Sequence, residues 1–277
     1  GVQTCALPIC QFAPAANGTL AYLPASPTDG GCSLAWVDRQ GVETSIGAPL
    51  RAYATLRLSP DASRLALDIR DRESDIWIWS FAAKTLTQLT FGARPDSYPV
   101  WTPAGDRVAF ASQRDGLFNI YWQAANNSGQ TERLTTSTGA QIPAAFTSDG
   151  KRLVMRDTNR ETGEDLSVLS IDSRTITPLF HGKFDERNGE ISPDGRFIAY
   201  ESNESGRSEV YVQTFPDPAG GKWKISTAGG GMPAWARNGR ELYFIGSREL
   251  WAAPVRMLPD FGRSEEHTSE LQSRFGI

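Results

Sequence analysis

Cysteine and histidine are nearly absent: three and two respectively in 277 residues, which leaves little for thiol, imidazole or metal chemistry. Cys5 and Cys10 fall in an N-terminal stretch set aside below, so Cys32 stands alone and no disulfide framework or cysteine-rich metal centre is available. A lone cysteine at a strand edge reads as a small packing residue. His181, in the loop Phe180-His181-Gly182-Lys183, reads as a solvated turn residue, and one histidine gives a Ser-His-Asp triad little to work with. No Gly-x-Ser-x-Gly elbow occurs, and Gly220-Gly221-Lys222-Trp223 lacks the spacing and hydroxyl of a phosphate loop. Carboxylates scatter through the chain without His or Cys partners and without a calcium-loop pattern. No catalytic residue, cofactor or metal ion is therefore expected. A basic surplus is also missing, since 28 Lys and Arg face 32 Asp and Glu. That balance argues against nucleic acid as a partner. No apolar run approaches the ~20 residues that a membrane-spanning helix needs. No segment carries a sustained 3.6-residue stripe, so essentially no helix is expected.

What the chain does have is a turn signal returning every 43 to 45 residues. It reads Ser59-Pro60-Asp61-Ala62, Thr102-Pro103-Ala104-Gly105, Thr147-Ser148-Asp149-Gly150, Ser192-Pro193-Asp194-Gly195 and Ala236-Arg237-Asn238-Gly239, with a worn copy at Ala15-Ala16-Asn17-Gly18. Pro presets the second turn position, Asp or Asn bonds back to the backbone, and Gly supplies a positive φ without a Cβ clash. Ala62 breaks that rule, so its turn is expected to be strained or of another type. Each copy precedes a short apolar run such as Leu65-Ala66-Leu67 or Val108-Ala109-Phe110. Alternating third strands (Ile76-Trp77-Ile78-Trp79, Asn119-Ile120-Tyr121-Trp122, Val210-Tyr211-Val212) and short outer strands (Leu86-Thr87-Gln88-Leu89-Thr90, Trp223-Lys224-Ile225-Ser226) follow. A period of roughly 40–50 residues is that of a four-stranded propeller blade. The expected fold is all-β: a β-propeller of four-stranded antiparallel blades, six of them represented, with the first short of part of its inner strand and the sixth lacking its outer strand. Repeats start near 15, 59, 102, 147, 192 and 236. Most of the tryptophans, Trp101 and Trp235 among them, lie at near-equivalent strand positions and are expected between blades.

The two ends read differently. Gly1-Val2-Gln3-Thr4-Cys5-Ala6-Leu7-Pro8-Ile9, back-translated, reverse-complemented and read in a shifted frame, encodes Ser264-Glu265-Glu266-His267-Thr268-Ser269-Glu270-Leu271. Both tails thus resemble translated sequencing-adapter DNA in opposite orientations. Residues 1–10 and 263–277 are accordingly expected to be artefact, 11–262 to be propeller, and the natural gene to run on at both ends.

A Pro-x-Trp inner strand, a Ser-Pro-Asp-Gly-type turn, an Ile-Ala-Phe-like strand, an Asp-Ile-Trp or Asn-Ile-Tyr strand and a closing Leu-Thr together resemble the TolB-like β-propeller repeat. The resemblance covers nearly all of 11–256 and is sharpest over 53–90, 98–135 and 188–226. The layout is also similar to propellers that follow a bacterial serine/threonine kinase domain and a membrane span. The resemblance implies a non-catalytic sensing or docking module of a larger bacterial protein, extracytoplasmic or periplasmic, with a protein or peptide partner or a small polar ligand. The alternative is the gating propeller of a prolyl-oligopeptidase-like hydrolase whose catalytic domain lies elsewhere, and a free periplasmic scaffold is a third reading.

Propeller ligands sit where the inner strands converge. Aligning those strands on Leu58, Trp101, Phe146, Ile191 and Trp235 gives one channel position at Arg57, Val100, Ala145, Glu190 and Ala234. A second, on the same face by period two, falls at Thr55, Tyr98, Pro143, Asn188 and Met232. The polar members Arg57, Tyr98, Asn188 and Glu190 are the candidate binding residues, with hydrogen bonding between blades as their competing role. A mixed-charge rim is expected on the loops joining second to third strands: Arg70-Asp71-Arg72-Glu73, Arg114-Asp115, Arg156-Asp157 with Arg160-Glu161, and Glu201 with Glu204 and Arg207. Exposed pairs of this kind are common and weak, so a self-paired, solvated rim is the plain expectation.

Overall fold

The structure is a computed structural model describing residues 9–24, 31–159, 161–246, 249–255 and 273–274. Twenty-four strands form six four-stranded antiparallel sheets, each built from one contiguous piece of chain and numbered from the channel outward. Blade 1 holds β1 (Ile9–Pro14), β2 (Leu20–Pro24), β3 (Ala35–Val37) and β4 (Glu43–Ser45). Blade 2 holds β5 (Tyr53–Leu58), β6 (Arg64–Arg70), β7 (Ser74–Ser80) and β8 (Thr85–Gln88). Blade 3 holds β9 (Asp96–Trp101), β10 (Arg107–Ser112), β11 (Asn119–Ala124) and β12 (Glu132–Arg133). Blade 4 holds β13 (Gln141–Phe146), β14 (Arg152–Asn159), β15 (Gly163–Ser170) and β16 (Ile176–Pro178). Blade 5 holds β17 (Glu186–Ile191), β18 (Phe197–Ser202), β19 (Glu209–Thr214) and β20 (Lys222–Lys224). Blade 6 holds β21 (Gly231–Trp235), β22 (Glu241–Gly246), β23 (Glu249–Pro254) and β24 (Ser273–Arg274). The only helical turn among the described residues is a 3-10 turn at Pro218–Gly220.

Two expectations are corrected here. The first blade has a six-residue inner strand beginning at Ile9, and the sixth gains an outer strand because Ser273 and Arg274 pair with Ala252 and Trp251. Both blades are four-stranded, and the ring closes at six. The inner strands β1, β5, β9, β13, β17 and β21 neighbour one another in circular order, β21 returning to β1.

The second strand of each blade is buried on both faces, which is why it reads as an unbroken apolar run. Alternation then sorts its side chains between two junctions. Val108 and Phe110 join the core against blade 2, while Ala109 faces blade 4. Tyr243 faces blade 1, and Leu242 and Phe244 face blade 5. Six such clusters result, one at each junction of the ring.

The repeated turn has one geometry throughout. Its fourth residue donates N–H to the first carbonyl, at 2.9 Å for Ala62 to Ser59 and 2.8 Å for Gly195 to Ser192. Positive φ at that position runs from 58° at Ala62 to 83° at Gly18. Ala62 therefore adopts the same turn as the glycines and carries the strain of a left-handed L-residue. The Ser59, Thr147 and Ser192 hydroxyls donate to Asp61, Asp149 and Asp194 at 2.6 Å each. In blade 3, where Ala104 replaces the aspartate, Asp106 accepts from the Thr102 hydroxyl at 2.7 Å instead.

The closing Leu-Thr and the Asp-Ile or Asn-Ile motif prove to be partners. The hydroxyls of Thr90, Thr135 and Ser226 accept from the N–H groups of Ile76, Ile120 and Val210 at 2.8–2.9 Å. Thr90 and Ser226 also donate to the preceding acids, Asp75 and Glu209. A hydroxyl residue two positions past the outer strand thus ties the blade edge to the third strand's buried start.

Candidate functional site: a channel divided by an ion pair

All four candidate residues line the central channel. Arg57 and Glu190 sit on inner strands of blades 2 and 5, which are opposite one another in a ring of six. Their side chains meet across the channel, Arg57 Nη1 to Glu190 Oε1 at 2.6 Å. Burial pushes the Glu190 carboxyl above its ordinary value, with Arg57 opposing the shift. The pair divides the channel into two cavities.

The loop-side cavity, about 320 Å3, is walled by Gln11, Thr55, Tyr98, Asn188 and Met232 together with Arg156, Arg187 and Glu201. The turn-side cavity, about 440 Å3, is walled by Leu58, Trp101, Phe146, Ile191 and Trp235, with Pro60, Pro103 and Pro193 at its rim. Arg57 reaches into both, whereas Glu190 faces the turn side.

Tyr98 and Asn188 reach the channel by a route that strict alternation does not supply. Every inner strand carries a register shift in its ladder with the second strand. At these bulges Tyr98, Asn188 and Met232 have positive φ of 58°, 53° and 52°. A bulge adds a residue and re-aims the side chains around it, so the period-two expectation is corrected although the residues it selected do line the cavity. The bulge also accommodates Pro99 and Pro233, which follow the left-handed residues and need no ladder partner there.

Asn188 donates to Glu201 Oε2 at 2.9 Å, Ser208 donates to Oε1 at 2.6 Å, and the Met232 N–H approaches Oε2 at 3.4 Å. Glu201 thus links blades 5 and 6 at the loop-side mouth. Arg156 pairs with Glu164 at 3.3 Å, and Arg187 pairs with Glu164 and with Asp185. Arg156 and Glu201 were expected on the rim loops. They lie instead on second strands β14 and β18 and turn into the channel wall. The signal available was their equivalence, 45 positions apart in consecutive repeats.

Other tryptophan chemistry was also missed. The indole N–H of Trp101 donates to the Arg57 carbonyl, and that of Trp235 to the Glu190 carbonyl, both at 2.9 Å. Each fixes the backbone of a channel residue in the preceding blade.

The outer rim is largely self-paired. Arg70 meets Asp68 and Arg114 meets Asp96, both at 2.9 Å, while Arg133 meets Asp115 at 3.1 Å and Arg207 meets Glu209 at 2.8 Å. Arg160 lies outside the described residues. His181 is exposed, with Nδ1 3.7 Å from Asp165. Among the described residues no group of three His, Cys, Asp or Glu could hold a metal ion, and no helix is long and apolar enough to cross a membrane.

Comparison with known proteins agrees with this architecture. A protein from Chlorobium luteolum named "Protein TolB homolog" is 31% identical over 248 residues, covering 81% of this chain and 52% of that protein. The chain spans about half the length of the curated relatives it matches. The crystal structure of TolB from Acinetobacter baumannii superposes with a TM-score of 0.74 at 20% identity, over 86% of this chain and 61% of that one. A prolyl endopeptidase structure superposes with a TM-score of 0.58 at 16% identity, over 90% of this chain and 42% of the other. At such identities these two likenesses concern the fold alone. The family model described as the TolB beta propeller domain matches residues 40–211, more than half of the chain. This chain belongs to the TolB beta propeller domain family.

Proposed function

We propose that this propeller is a non-catalytic docking module that takes a protein or peptide segment into its loop-side mouth. The observation that carries the reading is the cavity itself. Side chains from blades 1 to 6 converge on about 320 Å3, and Arg57, paired with Glu190 across the channel, lies at its inner end. A segment can enter but not pass. Tyr98 offers an aromatic surface with a hydroxyl, Asn188 and Thr55 offer hydrogen bonds, and Arg156, Arg187 and Glu201 offer charges of both signs. Interfaces draw most of their energy from a few such anchors, tyrosine and arginine prominent among them.

In the intact protein this module is the sensing or docking part of a larger bacterial protein, held outside the cytoplasm, as in propellers joined to serine/threonine kinases. The gating propeller of a prolyl-oligopeptidase-like hydrolase is the second reading, with which the fold likeness to a prolyl endopeptidase is consistent. It has less support, because a gate must pass substrate and an ion pair spans this channel.

The test is selection of a peptide display library on the immobilised protein. Enriched peptides are then titrated against Arg57→Ala, Tyr98→Ala and Asn188→Ala, with Asp115→Ala and Glu204→Ala as rim controls. Loss confined to the channel variants is expected. Loss with the rim variants and tight binding by the channel variants would remove the assignment.

A further inference from the structure

The turn-side cavity has a different chemistry from the loop side and is untouched by the reading above. Its walls are aromatic and aliphatic: Leu58, Trp101, Phe146, Ile191 and Trp235. Three charged residues line it. Arg57 and Glu190 cancel at its floor, which leaves Arg237 at its mouth. Arg237 comes from the blade 6 turn and reaches past blade 1 to blade 2. There Nη2 donates to the Ser59 carbonyl at 2.6 Å and Nη1 to the Pro60 carbonyl. A guanidinium has five N–H donors, so three remain after these two bonds. The other arginines lining the channel, Arg57, Arg156 and Arg187, each have a carboxylate partner. Arg237 has none within 4.0 Å among the described residues. Burial pushes its guanidinium below its ordinary value, Asp61 opposing at longer range.

A half-buried cation held by two carbonyls, above an apolar well whose other charges cancel, is complementary to one kind of ligand. We propose that the turn-side mouth is a second, separate binding site for a small apolar ligand carrying a single carboxylate. The carboxylate lies at Arg237 and the apolar body lies between the Trp101 and Trp235 walls. A cavity of about 440 Å3 is within the range that holds small molecules. Carbonyl anchoring presets the guanidinium, so the ligand does not have to order a free side chain.

The experiment uses 4-phenylbutyrate as probe and its amide as the uncharged isostere, titrated calorimetrically against the whole chain. The acid is expected to bind roughly tenfold more tightly than the amide, the scale of one charge-assisted hydrogen bond. Arg237→Gln, which keeps a donor for the carbonyls, should bring the acid down to the amide's affinity and leave the amide unchanged. Ser148→Trp, at an exposed turn position on the same mouth, should weaken both, and Asp115→Ala on the outer rim should weaken neither. Melting curves establish that each variant is folded. The proposal is overturned if neither compound binds, if acid and amide bind alike, or if Arg237→Gln or Ser148→Trp binds the acid as the parent chain does.

Discussion

Replacing Arg57 by Met and Glu190 by Leu, singly and together, measures what the ion pair across the channel does. At 2.6 Å and an effective dielectric near 20, the attraction is about 6 kcal/mol. The Glu190 carboxyl nevertheless lies above its ordinary value, because burial opposes its charge more than Arg57 supports it. The ionised pair is therefore close to neutral in net stability, as buried pairs often are. Removing one partner is another matter. Breaking a fully buried pair costs about 3–5 kcal/mol, and this one is less buried, with Arg57 36% and Glu190 19% exposed. Glu190→Leu leaves the more exposed Arg57 free to turn into the cavity and should cost about 1 kcal/mol. Arg57→Met leaves the deeper carboxylate alone and should cost about 2–3 kcal/mol at pH 8. A carboxyl with a raised folded-state value binds its proton more tightly when folded, so its penalty grows as pH rises through that value. The Arg57→Met deficit should accordingly shrink at pH 5. The double variant should lie within about 1 kcal/mol of the parent chain, giving a coupling of about 3–4 kcal/mol. Urea unfolding of the four proteins at both pH values reads every quantity. Additive single effects, or an Arg57→Met deficit that is the same at pH 5 and pH 8, would refute the reasoning.

Two further predictions concern single residues. Ala62→Gly relieves the left-handed strain at φ 58° and should stabilise by about 1 kcal/mol, raising the Tm by about 2–4 °C in a thermal melt; no gain would mean that the turn relaxes around alanine. Glu186 is 7% exposed and burial pushes its carboxyl up to about 7 from 4.5, with Asp165 and Glu204 raising it further and Ser202 and Lys222 opposing. Its proton is held more tightly in the folded state, so it lowers stability progressively from pH 4.5 to 7, by at most about 3 kcal/mol. Glu186→Gln should match the parent at pH 4 and exceed it at pH 8 in urea unfolding, and an unchanged difference across that range would refute the shift.

Blades, turns and channel residues were legible because each is a matter of period. The turn recurs at fixed spacing, and aligning repeats places equivalent residues on one face, so Arg57, Tyr98, Asn188 and Glu190 could be selected before any coordinates. The bulge was not legible. It depends on how each inner strand registers with its neighbour, and Tyr98 and Met232 are residue types that do not announce a positive φ. Nor does the sequence say that Arg57 and Glu190 touch. A repeat period fixes the length of a blade, while the angle between blades is set by side chains packed in the junctions. Only that angle makes blade 5 the one opposite blade 2. The same ignorance of angle left the ring number open, and the short outer strand at Ser273–Arg274 carried no periodic signal of its own.

Closure at six also explains how a ring with no strand shared between its ends holds together. Each second strand divides its side chains between two junctions, so a blade completes its core only when both neighbours are present. The junction of blades 6 and 1 is built like the other five. Phe12, Leu20 and Tyr22 pack against Tyr243, Leu250 and Ala252. Arg39 of blade 1 adds a two-pronged contact to Glu241 and a bond to the Tyr243 hydroxyl at 3.3 Å. Arg39 also holds the Glu241 carboxyl below its ordinary value against the opposing effect of burial. Because neighbour contacts dominate in repeat architectures, opening this one junction would uncover two apolar faces at once and remove the symmetry that sets Arg57 against Glu190. The divided channel is therefore a property of the closed ring and of no single blade.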